Sequence, residues 1–450
     1  MHHFSVLAIL AVIALGPASP AQQAPDPEAT LQRIGQRLLA DTDRMPRYTC
    51  VQTITRTYYD ARAEFHRPTC SGLIAAHETQ RHPPRALGWD RLRLEVGIVQ
   101  GSSVFSWVGA PRFTNDTLDK LAGNGPLGSG DFGVFIGNIL LRTTLEYQRE
   151  EIIDGKRLLE YSYDMPVEKS GYKIKTSSGW EPTAYSGTLL LDPDAADLAR
   201  LIVRTAELPA SSSTCQAITE VTYGRTSIHD RLVLIPRETR LYTIDLTGSE
   251  SQSQTSFANC REYASTVRLI FDRTENDHTK SDGTNSTAGT APAMPSTAEP
   301  PAPLPAGLHF DARITTPINS STAAAGDPIE AVLRSPMRDK NKAVIAPLGA
   351  RLHGRLRNVK WWSEPGDHFQ ITVQFESVEI AGHNVPLSAT LYPPHPARMT
   401  MGANSPRIMI LKPEDASLGG TFFFQEQHVQ LKSLDAQWIT VIPDVGTEEK

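Results

Sequence analysis

Between Arg273 and Gly307 the chain reads RTENDHTKSDGTNSTAGTAPAMPSTAEPPAPLPAG, where Ser, Thr, Gly, Ala and Pro displace the large apolar residues that a core requires. Such a stretch cannot bury enough apolar surface to form a packed layer, so the 450 residues must fold as separate units on either side of it. Apolar residues make up 40% of the chain, enough for a core in each unit. The Pro-rich end is expected to be extended and stiff and the Ser/Thr/Gly part flexible, which predicts two units held apart rather than packed tightly. The boundaries that follow are 22–272 for the first unit, 273–307 for the linker and 308–450 for the second.

Residues 1–21, MHHFSVLAILAVIALGPASPA, carry an apolar run from Phe4 to Leu15, a Gly-Pro break at Gly16 and Pro17, and small residues Ser19 and Ala21. This is the pattern of a secretory signal peptide cleaved after Ala21, although His2 and His3 stand where Lys or Arg is usual. The run is too short for a membrane anchor, no Cys follows it, and no later segment is apolar for long enough to span a bilayer. An exported chain, periplasmic or outer-membrane associated, is the expectation.

Four cysteines, Cys50, Cys70, Cys215 and Cys260, suit an oxidising compartment. Three connectivities are open; Cys50–Cys70 with Cys215–Cys260 is preferred because each closes a moderate loop. A metal site is disfavoured, since there is no C-x-x-C and the thirteen His show no ligand spacing. A formal net charge of -6 with 21% charged residues gives no basic excess for nucleic acid.

The first unit opens with PEATLQRIGQRLLADTDRMP, in which Leu31, Ile34, Leu38 and Leu39 share one helical face. The period then changes to two in YTCVQTITRTYY, RLRLEVGIV and SSVFSWVG, and Asp154-Gly155 marks a hairpin. Two strands around a Pro193–Asp197 turn, then AITEVTYGR, LVLIPRETRLYTIDL and REYASTVRLIF, continue the antiparallel series. The predicted fold class is mainly β with a few helices: an antiparallel half-barrel with inserted helices, a linker, and a second small β-barrel or sandwich.

The leading helix, the long strand directly after it, the inserted short helices and the late hairpin GTLLLDPDAADLARLIVRT resemble the LolA/LolB-like lipoprotein-localisation half-barrels of the bacterial periplasm. The likeness spans roughly residues 28–272 and implies an incomplete barrel around a helix-plugged apolar cavity that accepts acyl chains. The second unit is β-rich in HFDARITTPINSSTAAAGDPIEAVLRSPM, AVIAPLGARLHGRLRNVKWW and HFQITVQFESVEIAGHNVPLSATLY. The order TPINSSTAAAGDPIEAVLRSP, IAPLGARLHGRL, then a strand pair is similar to the carboxy-terminal β-barrel of TrbI-like conjugation and type IV secretion proteins. Here no apolar antenna is visible, so pore formation is not implied.

Several motifs invite chemistry and are better explained otherwise. Gly123, Gly125 and Gly128 spell G-x-G-x-x-G, yet TNDTLDKLA before them reads as a short helix rather than a strand, so a helix–loop–helix connection is favoured over a nucleotide site. Ser170 to Lys173 match S-x-x-K without the companion S-D-N or K-T-G. Arg351, Arg355 and Arg357 alternate on a predicted strand as a candidate anion-contacting face; the competing reading is a solvated outer face.

The apolar inventory is Leu31, Ile34 and Leu38 on the first helix, Phe105 and Trp107 on a strand, and Phe132, Phe135, Ile136 and Ile139 after the glycine loop. These line a candidate ligand cavity, or else make a core. The functional reading is a non-enzymatic exported envelope protein that binds a lipid, acyl chain or lipidated protein, without cofactor or nucleic acid. The alternative is a scaffolding component of an envelope assembly with protein partners, and an envelope hydrolase is held in reserve.

Overall fold

The computed structural model of the chain describes residues 26–61, 69–79, 84–99, 102–110, 113, 121, 132–262, 303–364, 367–392, 419–426 and 428–442. Residues 1–21, where a leader is expected, the loop of Gly123, Gly125 and Gly128, and residues 273–302 of the expected linker lie outside the described residues. Among the described residues no helix is long and apolar enough to cross a membrane.

The first unit contains helices α1 (Pro27–Asp43), α2 (Cys70–Glu78) and α3 (Phe132–Arg142). Its strands are β1 (Tyr48–Tyr59), β2 (Ala86–Val99), β3 (Ser102–Trp107), β4 (Glu146–Ile153), β5 (Lys156–Met165), β6 (Lys173–Thr176), β7 (Gly179–Pro182) and β8 (Tyr185–Asp192). Four longer ones follow: β9 (Asp197–Thr205), β10 (Thr214–Ile228), β11 (Arg231–Asp245) and β12 (Glu250–Glu262).

Antiparallel pairing runs β4-β5-β8-β9-β10-β11-β12-β1-β2-β3, so the first long strand lies beside the last one. The protein is mostly β, and its large antiparallel sheet does not close into a barrel, as the half-barrel expectation requires. The hairpin foreseen at Asp154-Gly155 joins β4 to β5, with both residues at positive φ (50° and 74°) as a tight primed turn demands.

That neighbouring of β1 and β12 corrects the preferred disulfide pairing. Cys50 bonds Cys260 and Cys70 bonds Cys215, across sequence separations of 210 and 145 residues. Short loops between cysteines mattered less than which strands the sheet brings together. Cys50 on β1 meets Cys260 on β12, whereas Cys70 begins α2 and reaches β10. Thr69 caps α2 by accepting from Gly72 N, and the helix is tied further to the strands by His77 Nδ1 at 3.0 Å from Glu250 Oε2.

The second unit comprises β13 (His309–Ile314), β14 (Ile318–Asn319), β15 (Pro328–Leu333), β16 (Met337–Arg338), β17 (Val344–Ala346) and β18 (Arg351–Trp362). It continues with β19 (His368–Ile380), β20 (His383–Pro386), β21 (Ala389–Leu391), β22 (Gly420–Phe424), β23 (Gln430–Leu431) and β24 (Leu434–Thr440). Strands pair in the order β21-β24-β13-β15-β18-β19, with β20 and β22 at the two ends of β19. They enclose one core in which Phe310, Phe369, Phe375, Phe422, Phe424 and Trp438 are buried, Phe375 meeting Trp438 edge-on at 4.7 Å.

The two units are not held apart, and the reason lies in unequal strand lengths. β2 outruns β3 over Ala86–Arg93, and β18 outruns β15 over Leu356–Trp362. Each leaves unpaired backbone groups at an edge, and edges of that kind pair with whatever strand fits. Here Lys360, Trp361 and Trp362 pair antiparallel with Asp90, Trp89 and Gly88, making the two sheets continuous. Tyr58 stacks on Trp362 at 5.5 Å, Arg93 is bound to Asp327, and Ala325 bridges the backbone of Arg91 and Arg93.

Candidate functional site

The apolar residues singled out on α1 and α3 come together on one face of the sheet. Asp26 accepts from Glu28 N at 3.1 Å, and α1 then runs with Ile34 and Leu38 fully buried against Leu189, Leu198, Leu201 and Val221. Ile136 and Ile139 of α3 join the same cluster, with Leu31 and Phe135 half-buried at its margin. The two helices pass close to one another at Gly35, whose position lies within van der Waals reach of Leu140.

The polar side of α1 is anchored separately. Arg33 donates to the Pro193 carbonyl (2.8 Å) and Arg37 to those of Ala195 and Ala196, so the Pro193–Asp197 turn is gripped by the helix. Asp192 shapes that turn by accepting from Asp194 N and Ala195 N. Arg225 completes the attachment with bonds to Asp197 and, at 2.7 Å, to Asp41. Those carboxylates hold the guanidinium above its ordinary range despite partial burial.

Beneath α3 lies an aromatic group that the sequence reading did not single out. Phe135 stacks on Tyr185 (5.0 Å between centroids) and meets Tyr172 edge-on, while Tyr163 meets Tyr185 edge-on at 6.1 Å. Burial pushes the Tyr185 phenol up to about 12 against the opposing pull of Arg142, and raises Tyr163 and Tyr172 as well. These rings are neutral at any physiological pH and act as apolar walls. The signal for them was the alternation of Tyr161 and Tyr163 in LEYSYDM, which places both rings on the face that α1 and α3 cover.

Phe105 and Trp107 do not join this cluster. On β3 they pack instead with Ile54, Leu92, Leu94 and Leu121, at the opposite end of the sheet. The nine residues proposed as one lining therefore divide, because β3 and β5 are separated by the whole width of the strand order. The side chain of Phe132 lies outside the described residues.

The basic stripe is also dispersed. Two register shifts interrupt β18, so strict alternation fails. Arg351 is exposed, but Arg355 is buried and donates to Glu376 (2.6 Å) and to the carbonyls of Val108 and Gly326. Arg357 is bonded to Gln374 and lies over the Trp107 ring at 5.0 Å. Arg355 and Arg357 thus bind the two units to one another and form no shared face with Arg351.

Ser170 of the S-x-x-K match accepts from Tyr172 N at 3.1 Å, as a turn residue does, and Lys173 is exposed. Among the described residues no three His, Cys, Asp or Glu side chains gather as a metal site.

No family model matches the chain, and no curated protein matches it. Solved structures similar to about half of it include a putative outer membrane lipoprotein-sorting protein domain from Vibrio parahaemolyticus (11% identity, 54% of this chain and 95% of that one, TM-score 0.26). A LolA superfamily protein from Nitrosomonas europaea is similar at 9% identity over 51% of this chain and 93% of its own, with a TM-score of 0.24. A DUF1329 family protein from Desulfovibrio piger is 12% identical over 54% and 96%, with a TM-score of 0.26.

Proposed function

We propose that this is an exported envelope protein that binds an acyl chain, lipid or lipidated ligand between the open sheet and the helix pair α1–α3, without catalysis. One observation supports this above the others. An antiparallel sheet left open at β3 and β4 carries on one face two helices whose buried faces meet it through aliphatic and aromatic side chains, with Leu31, Phe135, Leu140 and Tyr172 at the margin and the polar anchors Arg33, Arg37 and Arg225 confined to one side of α1. A ligand that inserts there exchanges one apolar contact for another, so the cost of opening is small relative to a polar interface.

The second unit is then an adaptor, fixed to the first through β2 and β18. The test is a native mass spectrum of the full chain purified without detergent from the periplasm, before and after organic extraction. An extractable adduct of lipid mass on a leader-cleaved monomer is the expected result. A clean apo mass with a defined oligomer overturns it in favour of a scaffold, the reading to which the joined sheet edges also lend themselves.

A further inference from the structure

Four polar side chains on neighbouring strands are fully buried and have no hydrogen-bond partner among the described residues: Gln52 on β1, Ser253 and Thr255 on β12, and Thr239 on β11. For Gln52 both the amide nitrogen and the oxygen are unpartnered. Buried polar atoms of native proteins are nearly always satisfied, by protein or by something bound, and a concentration of exceptions in one place calls for an occupant.

The register shows that the four form one patch. Thr239 is directly opposite Thr255, which is opposite Ile54; Ser253 is opposite Arg56; and Gln52 precedes Ile54 by two residues. Alternation puts all of them on one face, with direct cross-strand neighbours about 5 Å apart and diagonal ones about 7–8 Å. Val221, opposite Thr239, belongs to the cluster under α1 and α3, whereas Ile54 belongs to the cluster with Leu92, Leu94 and Leu121. The strip is therefore a polar island between two apolar surfaces.

Its chemistry selects a ligand. Hydroxyls and a carboxamide both donate and accept, so they match a group that does the same. The charge that the register sets opposite Ser253, Arg56, is engaged by Asp90 through two bonds of 2.7 and 2.9 Å, so among the described residues it brings no free charge to the strip. A carboxylate or phosphate brought there would lack a counter-charge in a dry site, a costly arrangement.

Resting on the lipid-binding reading above, we infer that the ligand is a neutral amphiphile whose hydroxyl- and ester-bearing head sits on Gln52, Thr239, Ser253 and Thr255 while its chain lies among the flanking apolar residues. The class is that of an uncharged glyceride rather than a fatty acid or a phospholipid.

The test is equilibrium dialysis of the full, delipidated chain against radiolabelled monopalmitoylglycerol and palmitate, equilibrated overnight because the strip is fully covered. Monopalmitoylglycerol should bind at least about tenfold more tightly than palmitate. In Thr239→Val/Thr255→Val, which keeps shape and removes both hydroxyls, that ratio should fall to about threefold or less, while Thr239→Ser/Thr255→Ser should preserve it. Ser253→Ala serves in place of the valine pair if that variant does not fold.

Equal binding of the two probes by the wild type, or an unchanged ratio in the valine variant, overturns the assignment of the strip and leaves the lipid-binding reading standing. Binding of neither probe overturns both.

Discussion

The ring of Tyr163 on β5 extends across Gly187 of β8 to donate a hydrogen bond of 2.9 Å to the Ile202 carbonyl on β9, bridging two strand spacings. Only a residue without a side chain permits this: a Cβ at position 187 would fall 1.8 Å from Ile202 O and 2.8 Å from the Tyr163 hydroxyl. The contact lies under α3 and sets the aromatic floor of the proposed site. Gly187→Ala should therefore destabilise the chain by about 1–3 kcal/mol through overpacking, and Tyr163→Phe by about 1 kcal/mol through the lost bond. Urea unfolding followed by circular dichroism measures both, and a smaller effect for the glycine change than for the phenylalanine change would contradict the geometry.

Asp245, at the end of β11, has its carboxyl raised above the ordinary aspartate value by burial, with Thr214 acting weakly in the other direction. A folded-state pKa above the unfolded one means that this group favours folding when protonated. That contribution is present below the unfolded pKa, near 3.8, and is lost as pH rises through the folded value. Asp245→Asn should accordingly be more stable than wild type at pH 7, and the advantage should vanish near pH 3.5. Urea midpoints across that range decide it; an advantage independent of pH would mean that the carboxyl is not the cause.

The parts of this architecture that were legible in sequence are those written in local period. Leu31, Ile34 and Leu38 announce α1, and the alternation of YTCVQTITRTYY announces β1, because burial of one face depends only on spacing along the element. What was not legible depends on which edges meet. Nothing local tells Cys50 that β12 will lie beside β1, or tells Trp361 that a strand more than 250 residues earlier leaves a free edge of matching length. The polar strip was hidden for a related reason. Gln52, Thr239, Ser253 and Thr255 lie on three strands far apart in sequence, and only the register makes them one buried patch.

The two disulfides close loops of 210 and 145 residues, so each taken singly restricts the unfolded chain by an amount worth about 5 kcal/mol in the chain-entropy picture. Their local consequences differ. Cys50–Cys260 staples two strands already paired by a full ladder, whereas Cys70–Cys215 attaches the nine-residue helix α2, which would be marginal alone. Replacing Cys70 and Cys215 by Ser should raise proteolytic cleavage near residues 70–79 under native conditions; replacing Cys50 and Cys260 should lower the melting temperature without exposing that segment. Identical digestion patterns for the two variants would refute the distinction.

At the junction of the two units Gly88 faces the end of β18 so closely that a Cβ would lie 2.4 Å from the Trp362 ring and 2.6 Å from the Trp361 carbonyl. Because one of those atoms is backbone, rotation of the tryptophan cannot make room, and the pairing of Gly88 with Trp362 must yield. Each unit has its own core, so the loss should be local rather than global. Gly88→Val is therefore expected to separate the units while leaving both folded, converting one calorimetric transition into two and enlarging the radius of gyration by X-ray scattering. The ion pair of Arg93 with Asp327 and the bond from Arg355 to the Val108 carbonyl still tether the pieces through side chains, so Arg93→Met and Arg355→Met added to Gly88→Val should complete the separation. A single transition and an unchanged radius in the triple variant would show that the joined sheet does not hold the two units together.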